Sequence, residues 1–419
     1  MKRLYPSTTT LRVAVPLPIP LRETGRNLKR TNRSAAILRY HAGVNEHRPA
    51  YTQAEIKAAL LDAGASGTIY ALVMPESEAA LAAVVDGGER AALLGDPAAL
   101  DAAREARWFD LYREPWTQKQ DAMHEAWFER WLAWSAPVVR VDAAAFPYRY
   151  PTAGASEGIY KLIAEHAART RADGRAPSLH MFEGEYEGFP AYAAALAVPV
   201  VRHRREEWRD VPARVPTGAQ FWLSQPSAID GAVWEPFGEF LALMAAEAPH
   251  AAVIPDLSYV GSVARAFEVP LDFANVPAFV VSQSKPFGGY YHRVGGVFAR
   301  AEWPSLFGNK WFKNLQSLAW GLEMMARHDV FALPRRYRAV QEAACAQVAE
   351  RLGVAGLAAA DVGLLGVAPA PADAAPLVAS VLRGSGRERV VRLCLTPAMT
   401  VLIDPRLAPT LAARLGARG

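Results

Sequence analysis

Apolar and polar positions along the chain mark out short strands alternating with helices. "TQAEIKAALLDAG" at 52–64 has helical spacing, and "TIYALVMP" at 68–75 reads as a strand. "ESEAALAAVV" then reads as a helix, "RAALLGD" as a strand, "PAALDAAREA" as a helix and "RWFDLY" as a strand. This alternation predicts a small parallel α/β unit over roughly 50–113. The amphipathic helix "TQKQDAMHEAWFERWLAWS" (117–135) follows. Its apolar stripe predicts that Trp127, Trp131 and Trp134 serve a core or an interface rather than a ligand cage.

A second alternating stretch comes next. "GASEGIYKLIAEHAAR", "FPAYAAALA" and "PFGEFLALMAAEA" have helical spacing, whereas "SLHMF", "VPVVRHR", "QFWLSQP", "AAVIPD" and "AFVVSQS" are β-rich. Such runs predict a mainly parallel sheet covered by helices on both faces, a three-layer αβα arrangement. Ligands in such sheets sit at the carboxyl ends of strands, where "SQPS", "PDLSY" and "SQSK" fall. Beyond about 300, "WFKNLQSLAWGLEMMARHD" and "RRYRAVQEAACAQVAERLG" read as long helices, and "RVVRLCLTP" and "MTVLID" as strands. We expect four parts: an arm at 1–50, a small α/β region with a linker helix at 51–140, a large domain at 141–305 and a small α+β domain at 306–419.

Composition narrows the classes. With 419 residues, 51% of them hydrophobic, the chain can bury a large core. Lys plus Arg number 46 against 42 for Asp plus Glu, and the excess of +4 forms no run, which argues against nucleic-acid or membrane-surface partners. Three prolines break the short apolar run near the N-terminus, so it reads as an extended arm rather than a signal peptide. No stretch approaches the ~20 apolar residues of a membrane span. Cys345 and Cys394 lie in apolar contexts without ligand spacing, which suits packing roles in a reducing, cytoplasmic compartment. The nine histidines show no metal-binding pairing, so no metal is expected.

Three short stretches carry candidate chemistry. "YPTAGASEGIYKLI" opens a helix at about Ala155 with a glycine turn, which is either a plain cap or an anion site. "AAVIPDLSYVG" ends a strand in Asp256, either a helix N-cap or a carboxylate facing a cavity that Tyr259 also reaches. "SQSKPFGGYYHRVGG" (282–296) places Lys285 and Arg293 among serines and glycines. It is a solvated turn, or a phosphate loop in which the serine hydroxyls and the arginine fork grip the anion beside a reactive amine.

Together these stretches resemble the fold-type I pyridoxal-phosphate enzymes, the aspartate aminotransferase superfamily. The last matches that family's S-x-S-K-x-x-G-x-x-x-x-R-x-G pattern at every fixed position. The resemblance implies that Lys285 forms the internal aldimine with pyridoxal 5'-phosphate, and that Ser282, Ser284 and Arg293 hold the phosphate. "AGASEG" matches the glycine turn, which places Ala155 and Ser156 at the phosphate, and "PDLSY" matches D-x-x-Y, which places Asp256 on the ring nitrogen and Tyr259 near the ring hydroxyl. Tyr186 in "FEGEYEGFPAYAAA" is the expected aromatic over the ring, with Phe189 as a rival. Arg392 in "VVRLCLTP" would grip the substrate carboxylate. The implied protein is a homodimeric aminotransferase acting on a small amino acid, with Tyr290, Tyr291 and the tryptophan-rich 303–320 as candidate contacts.

Two departures keep an alternative open: elimination or replacement at the β or γ carbon, cyclisation, decarboxylation or oxidation in specialised metabolism. "LSQPSAIDGAVW" lacks the asparagine the family places near the ring hydroxyl, leaving Gln225, Ser227 or Asp230 as stand-ins. The first 140 residues also exceed the family's short arm. His292 lies within the lysine loop and is read as a structural residue before a substrate contact.

Overall fold

The computed structural model describes residues 52–86, 102, 105–106, 121–311 and 314–407. The arm, the expected strands "RAALLGD" and "RWFDLY", and most of the helix between them lie outside the described residues. "TQAEIKAALLDAG" forms α1 (Gln53–Asp62), opened by a capping box in which Thr52 and Glu55 each accept the other's backbone N–H.

The next segment corrects the sequence reading, because "TIYALVMP" is not a strand. Its burial alternates as in one, with Leu72 and Met74 buried and Val73 exposed. Only an isolated bridge, Ser66 with Cys394, pairs nearby backbone. Its backbone groups are used elsewhere: the Tyr70 N–H donates to Cys394 Sγ at 3.3 Å, and the Ile69 carbonyl accepts from Lys285 Nζ at 2.8 Å. Pro75 then starts α2 (Pro75–Asp86), where a missing N–H costs nothing. In α3 (Asp121–Ser135), Trp127, Trp131 and Trp134 are all buried in the core.

The large sheet follows the predicted alternation. In chain order come β1 (Tyr148–Thr152), α4 (Ala155–Ala172), β2 (Ser178–Phe182), α5 (Gly188–Ala195), β3 (Val200–His203) and β4 (Ala219–Ser224). Then follow α6 (Phe237–Glu247), β5 (Ala252–Asp256), β6 (Ala278–Ser282) and β7 (Gly295–Ala299). The seven strands lie in the order β1-β7-β6-β5-β4-β2-β3. Pairing is parallel from β6 through to β3, and β7 alone runs against its two neighbours. Successive residues serve opposite faces: Phe221, Phe279 and Phe298 enter one core, Trp222, Val280 and Val297 the other. Burial on both faces explains why these strands read as continuous apolar runs. β1 and β7 escaped the sequence reading because both adjoin glycine turns that look like loop.

The C-terminal region contains α7 (Leu315–Arg327), α8 (Arg338–Leu352), β8 (Ala358–Ala359), β9 (Leu365–Pro369), β10 (Leu382–Arg383) and β11 (Val390–Cys394). The four strands form an antiparallel sheet in the order β8-β9-β11-β10. "MTVLID", expected as a strand, is instead part of α9 (Thr396–Ile403). Pro397 in its first turn favours a helix start, and Thr396, Ala398, Met399 and Thr400 bury one side against α8. α7 packs on both α2 and α3. No helix among the described residues is long and apolar enough to cross a membrane.

Candidate active site

A cavity of about 680 Å³ opens at the carboxyl ends of β4, β5 and β6. That volume falls within the range of small-molecule sites. Nine of the ten residues singled out from sequence line it: Ala155, Ser156, Tyr186, Asp256, Tyr259, Ser282, Ser284, Lys285 and Arg293. Arg392 does not; it lies buried behind the wall.

Gly154 begins α4 at φ 79°, in the left-handed region, and contributes no side-chain cap to the helix's first N–H groups. A Cβ at this position would stand 2.7 Å from Arg293 Nη2. Glycine therefore admits the guanidinium to the helix start, where Arg293 donates to the Ala153 carbonyl at 2.9 Å. Arg293 itself has a left-handed backbone, φ 51°. Ser282 Oγ accepts from the Ser284 N–H at 3.1 Å, whereas the Ser284 hydroxyl is buried with no partner among the described residues. A helix N-terminus, a guanidinium and an unpaired hydroxyl converge on one cavity wall, an arrangement whose chemistry suits an anion.

Asp256 ends β5 and caps no helix. Its Oδ1 accepts from the Ser258 N–H at 3.0 Å and hydroxyl at 2.6 Å. Burial pushes its carboxyl up to about 6, partly offset by the Ser258 bonds and the charge of Lys285. Burial likewise brings the Lys285 amine down to about 8, with Arg293 and Arg392 pulling the same way. Tyr259, also buried, has its hydroxyl pushed up by desolvation. Tyr186 faces the cavity, whereas Phe189 is fully buried beneath it against Trp222.

None of the three stand-ins for the missing asparagine reaches the cavity. Gln225 spends its amide on the Trp234 N–H and carbonyl, both at 3.2 Å. Ser227 and Asp230 are both taken by Arg205. His292 does not line the cavity either; its ring stacks on Trp320 with centroids 4.2 Å apart.

The structure adds residues that sequence reasoning missed. Glu185 is buried, accepting from the Ser224 N–H at 3.0 Å, the Ser224 hydroxyl at 2.6 Å and the Tyr186 N–H at 3.2 Å. Burial holds its carboxyl up at about 7. It ties the Tyr186 loop to the end of β4, where Ser224 is the sheet partner of Asp256. Glu187 lines the cavity and meets both Arg383 and Arg392. Gln283, fully buried in the lysine loop, accepts from Trp127 Nε1 at 3.0 Å, so α3 braces that loop. Cys394, expected only to pack, also accepts the Tyr70 N–H at its Sγ, next to the Ile69 carbonyl that holds Lys285. No group of three or more potential metal ligands occurs among the described residues.

No protein-family model matches the sequence, and no curated protein does. Solved structures do match. A methionine aminotransferase from Escherichia coli aligns with TM-score 0.50 at 17% identity, over 67% of this chain and 82% of its own. A pyridoxal-phosphate-bound C–S lyase from Staphylococcus hominis aligns with TM-score 0.52 at 14% identity, over 66% and 81%. A probable N-succinyldiaminopimelate aminotransferase from Thermus thermophilus aligns with TM-score 0.51 at 17% identity, over 86% and 98%. At these identities the likeness establishes the fold.

Proposed function

We propose that this chain, which has the fold of these aminotransferases and this C–S lyase, is a pyridoxal-phosphate-dependent aminotransferase acting on an amino acid. The observation that carries the reading is the amine of Lys285, brought down to about 8 and lining the same cavity as Asp256 and the Arg293 anion site. The residues present fit the cofactor. The unpaired Ser284 hydroxyl and the guanidinium that Gly154 admits suit a phosphate, and a buried carboxylate without a direct cationic partner among the described residues suits a protonated ring nitrogen.

When bound, pyridoxal phosphate supplies a ring that accepts electrons released at the substrate Cα. Ser282, Ser284, Arg293 and the N–H groups of Ala155 and Ser156 would hold its phosphate. Asp256 would keep the ring nitrogen protonated, Tyr186 would cover the ring, and Tyr259 would serve the ring hydroxyl. Lys285, partly neutral near physiological pH, would hold the cofactor and serve as the base that moves the proton at the substrate Cα. Arg392 orients the substrate carboxylate, once the wall in front of it gives way, and so decides which Cα bond is activated. Net transfer moves an amino group from a donor amino acid to an acceptor keto acid. Tyr290, Tyr291, Phe307 and Trp311 are exposed aromatics and Tyr290 lines the cavity, which supports a second copy of the chain packing against them to complete the site.

Borohydride treatment of the cofactor-loaded protein tests the reading. We expect a reduced cofactor fixed to the Lys285 peptide by mass, and a Lys285→Ala variant about 1,000-fold less active. A colourless protein with no labelled peptide would overturn it. One observation favours a second reading, elimination: the turn before Asp256 sends no amide to the cavity, which alters the setting of the ring hydroxyl. Elimination releases ammonia without a keto-acid acceptor, whereas amine transfer requires the acceptor.

A further inference from the structure

At the cavity wall, two guanidinium groups share one carboxylate: Glu187 and Arg383 line the cavity, whereas Arg392 does not. Arg383, at the end of β10, and Arg392, on β11, both direct Nη2 at Glu187 Oε1. The Arg383 contact is a close ion pair, and the Arg392 contact spans 3.5 Å. The Nε of each arginine is buried with no partner among the described residues. One carboxylate thus leaves two cations incompletely satisfied. Their freedom to move differs sharply. The Arg392 side chain is 1% exposed, against 57% for Glu187. Arg392 is also held by the Ala228 and Gly67 carbonyls. Glu187 stands just before α5 without capping it. The glutamate is the member that can swing away.

We propose that Glu187 is a built-in carboxylate that occupies the Arg383–Arg392 pair until the carboxylate of a substrate displaces it into solvent. This rests on the reading of Arg392 as the carboxylate anchor. Exchange of one carboxylate for another leaves the two arginines paired before and after, and the displaced glutamate completes its hydration. The exchange also costs affinity: an incoming carboxylate binds only the fraction of molecules in which Glu187 has left. A ligand without a carboxylate has nothing to offer the arginines in return, so the device selects as well as blocks.

The test is calorimetric titration of the full chain, loaded with pyridoxal phosphate, with propionate, which has a carboxylate and no amine. Glu187→Gln is expected to bind propionate about fivefold more tightly, the worth of a partly exposed ion pair. Glu187→Asp, one methylene too short to reach both arginines, should shift affinity the same way by less. Adding Arg392→Ala to Glu187→Gln should abolish the gain. Unchanged or weaker propionate binding in both Glu187 variants, at unchanged melting temperature, would overturn the proposal. So would a gain that survives Arg392→Ala. Propionate binding needs no amine transfer, so failure here with Lys285 labelled removes only this inference, and with Lys285 unlabelled the same titration of the chain without cofactor still measures the exchange.

Discussion

The lysine side of the cavity comes largely from one run, 282–296, whereas the arginine side draws Gly67, Glu187 and the Arg383–Arg392 strand pair from three distant parts of the chain. On the lysine side, spacing within a loop sets the chemistry: Ser282, Ser284, Lys285 and Arg293 keep fixed offsets, and a strand end aims them. On the arginine side no offset carries information. Glu187 and Arg392 are 205 positions apart, and only the docking of the C-terminal sheet joins them. A motif can thus declare a cofactor site while remaining silent about the substrate.

Substitutions on the two sides should separate these roles. The largest contrast is between Arg293→Ala and Arg392→Ala. Losing a charge-assisted grip costs about 1.5–3 kcal/mol, so each should lower affinity by roughly 10- to 100-fold. Arg293→Ala is expected to weaken pyridoxal phosphate in an absorbance titration, and Arg392→Ala to raise KM for the amino acid with cofactor affinity little changed. If both variants moved the same constant, the division between the walls would collapse.

A pH series sharpens the lysine side. Only the neutral amine attacks the cofactor, and burial favours that form by bringing Lys285 from 10.5 to about 8. The rate of covalent capture should therefore rise about tenfold per pH unit below 8 and level off above it. Stopped-flow absorbance would show this, and a rate still climbing to pH 10 would mean an ordinary exposed lysine. The smallest effect tests the brace behind the loop. Trp127→Phe removes the indole donor to Gln283 and leaves a buried amide oxygen unpaired, which should cost about 1–3 kcal/mol in urea unfolding with Lys285 chemistry largely retained.

Much of this arrangement is legible along the chain. The parallel strands announce themselves because burial on both faces demands unbroken apolar runs, and Asp256 and Lys285 stand at strand ends where a single residue type already signals chemistry. Other features are not legible, for reasons that differ. Segment 68–74 alternates like a strand, yet its donors and acceptors go to Cys394 and Lys285 rather than to a ladder. "MTVLID" has strand-like composition but folds as a helix, because Pro397 starts it and α8 receives its buried side. Glu185 and Glu187 flank Tyr186 as two ordinary glutamates; one turns to Ser224 beneath the sheet edge, the other to the two arginines.

The sequence by itself determined the alternating layers, the lysine loop, the aspartate and the glycine turn, since each depends on residue type at short spacing. Only the tertiary structure decided which carbonyl holds the lysine, which side chains fail to replace the asparagine, and which carboxylate faces Arg383 and Arg392. Those contacts join residues tens to hundreds of positions apart, and a buried polar group takes whichever partner the packing brings within reach.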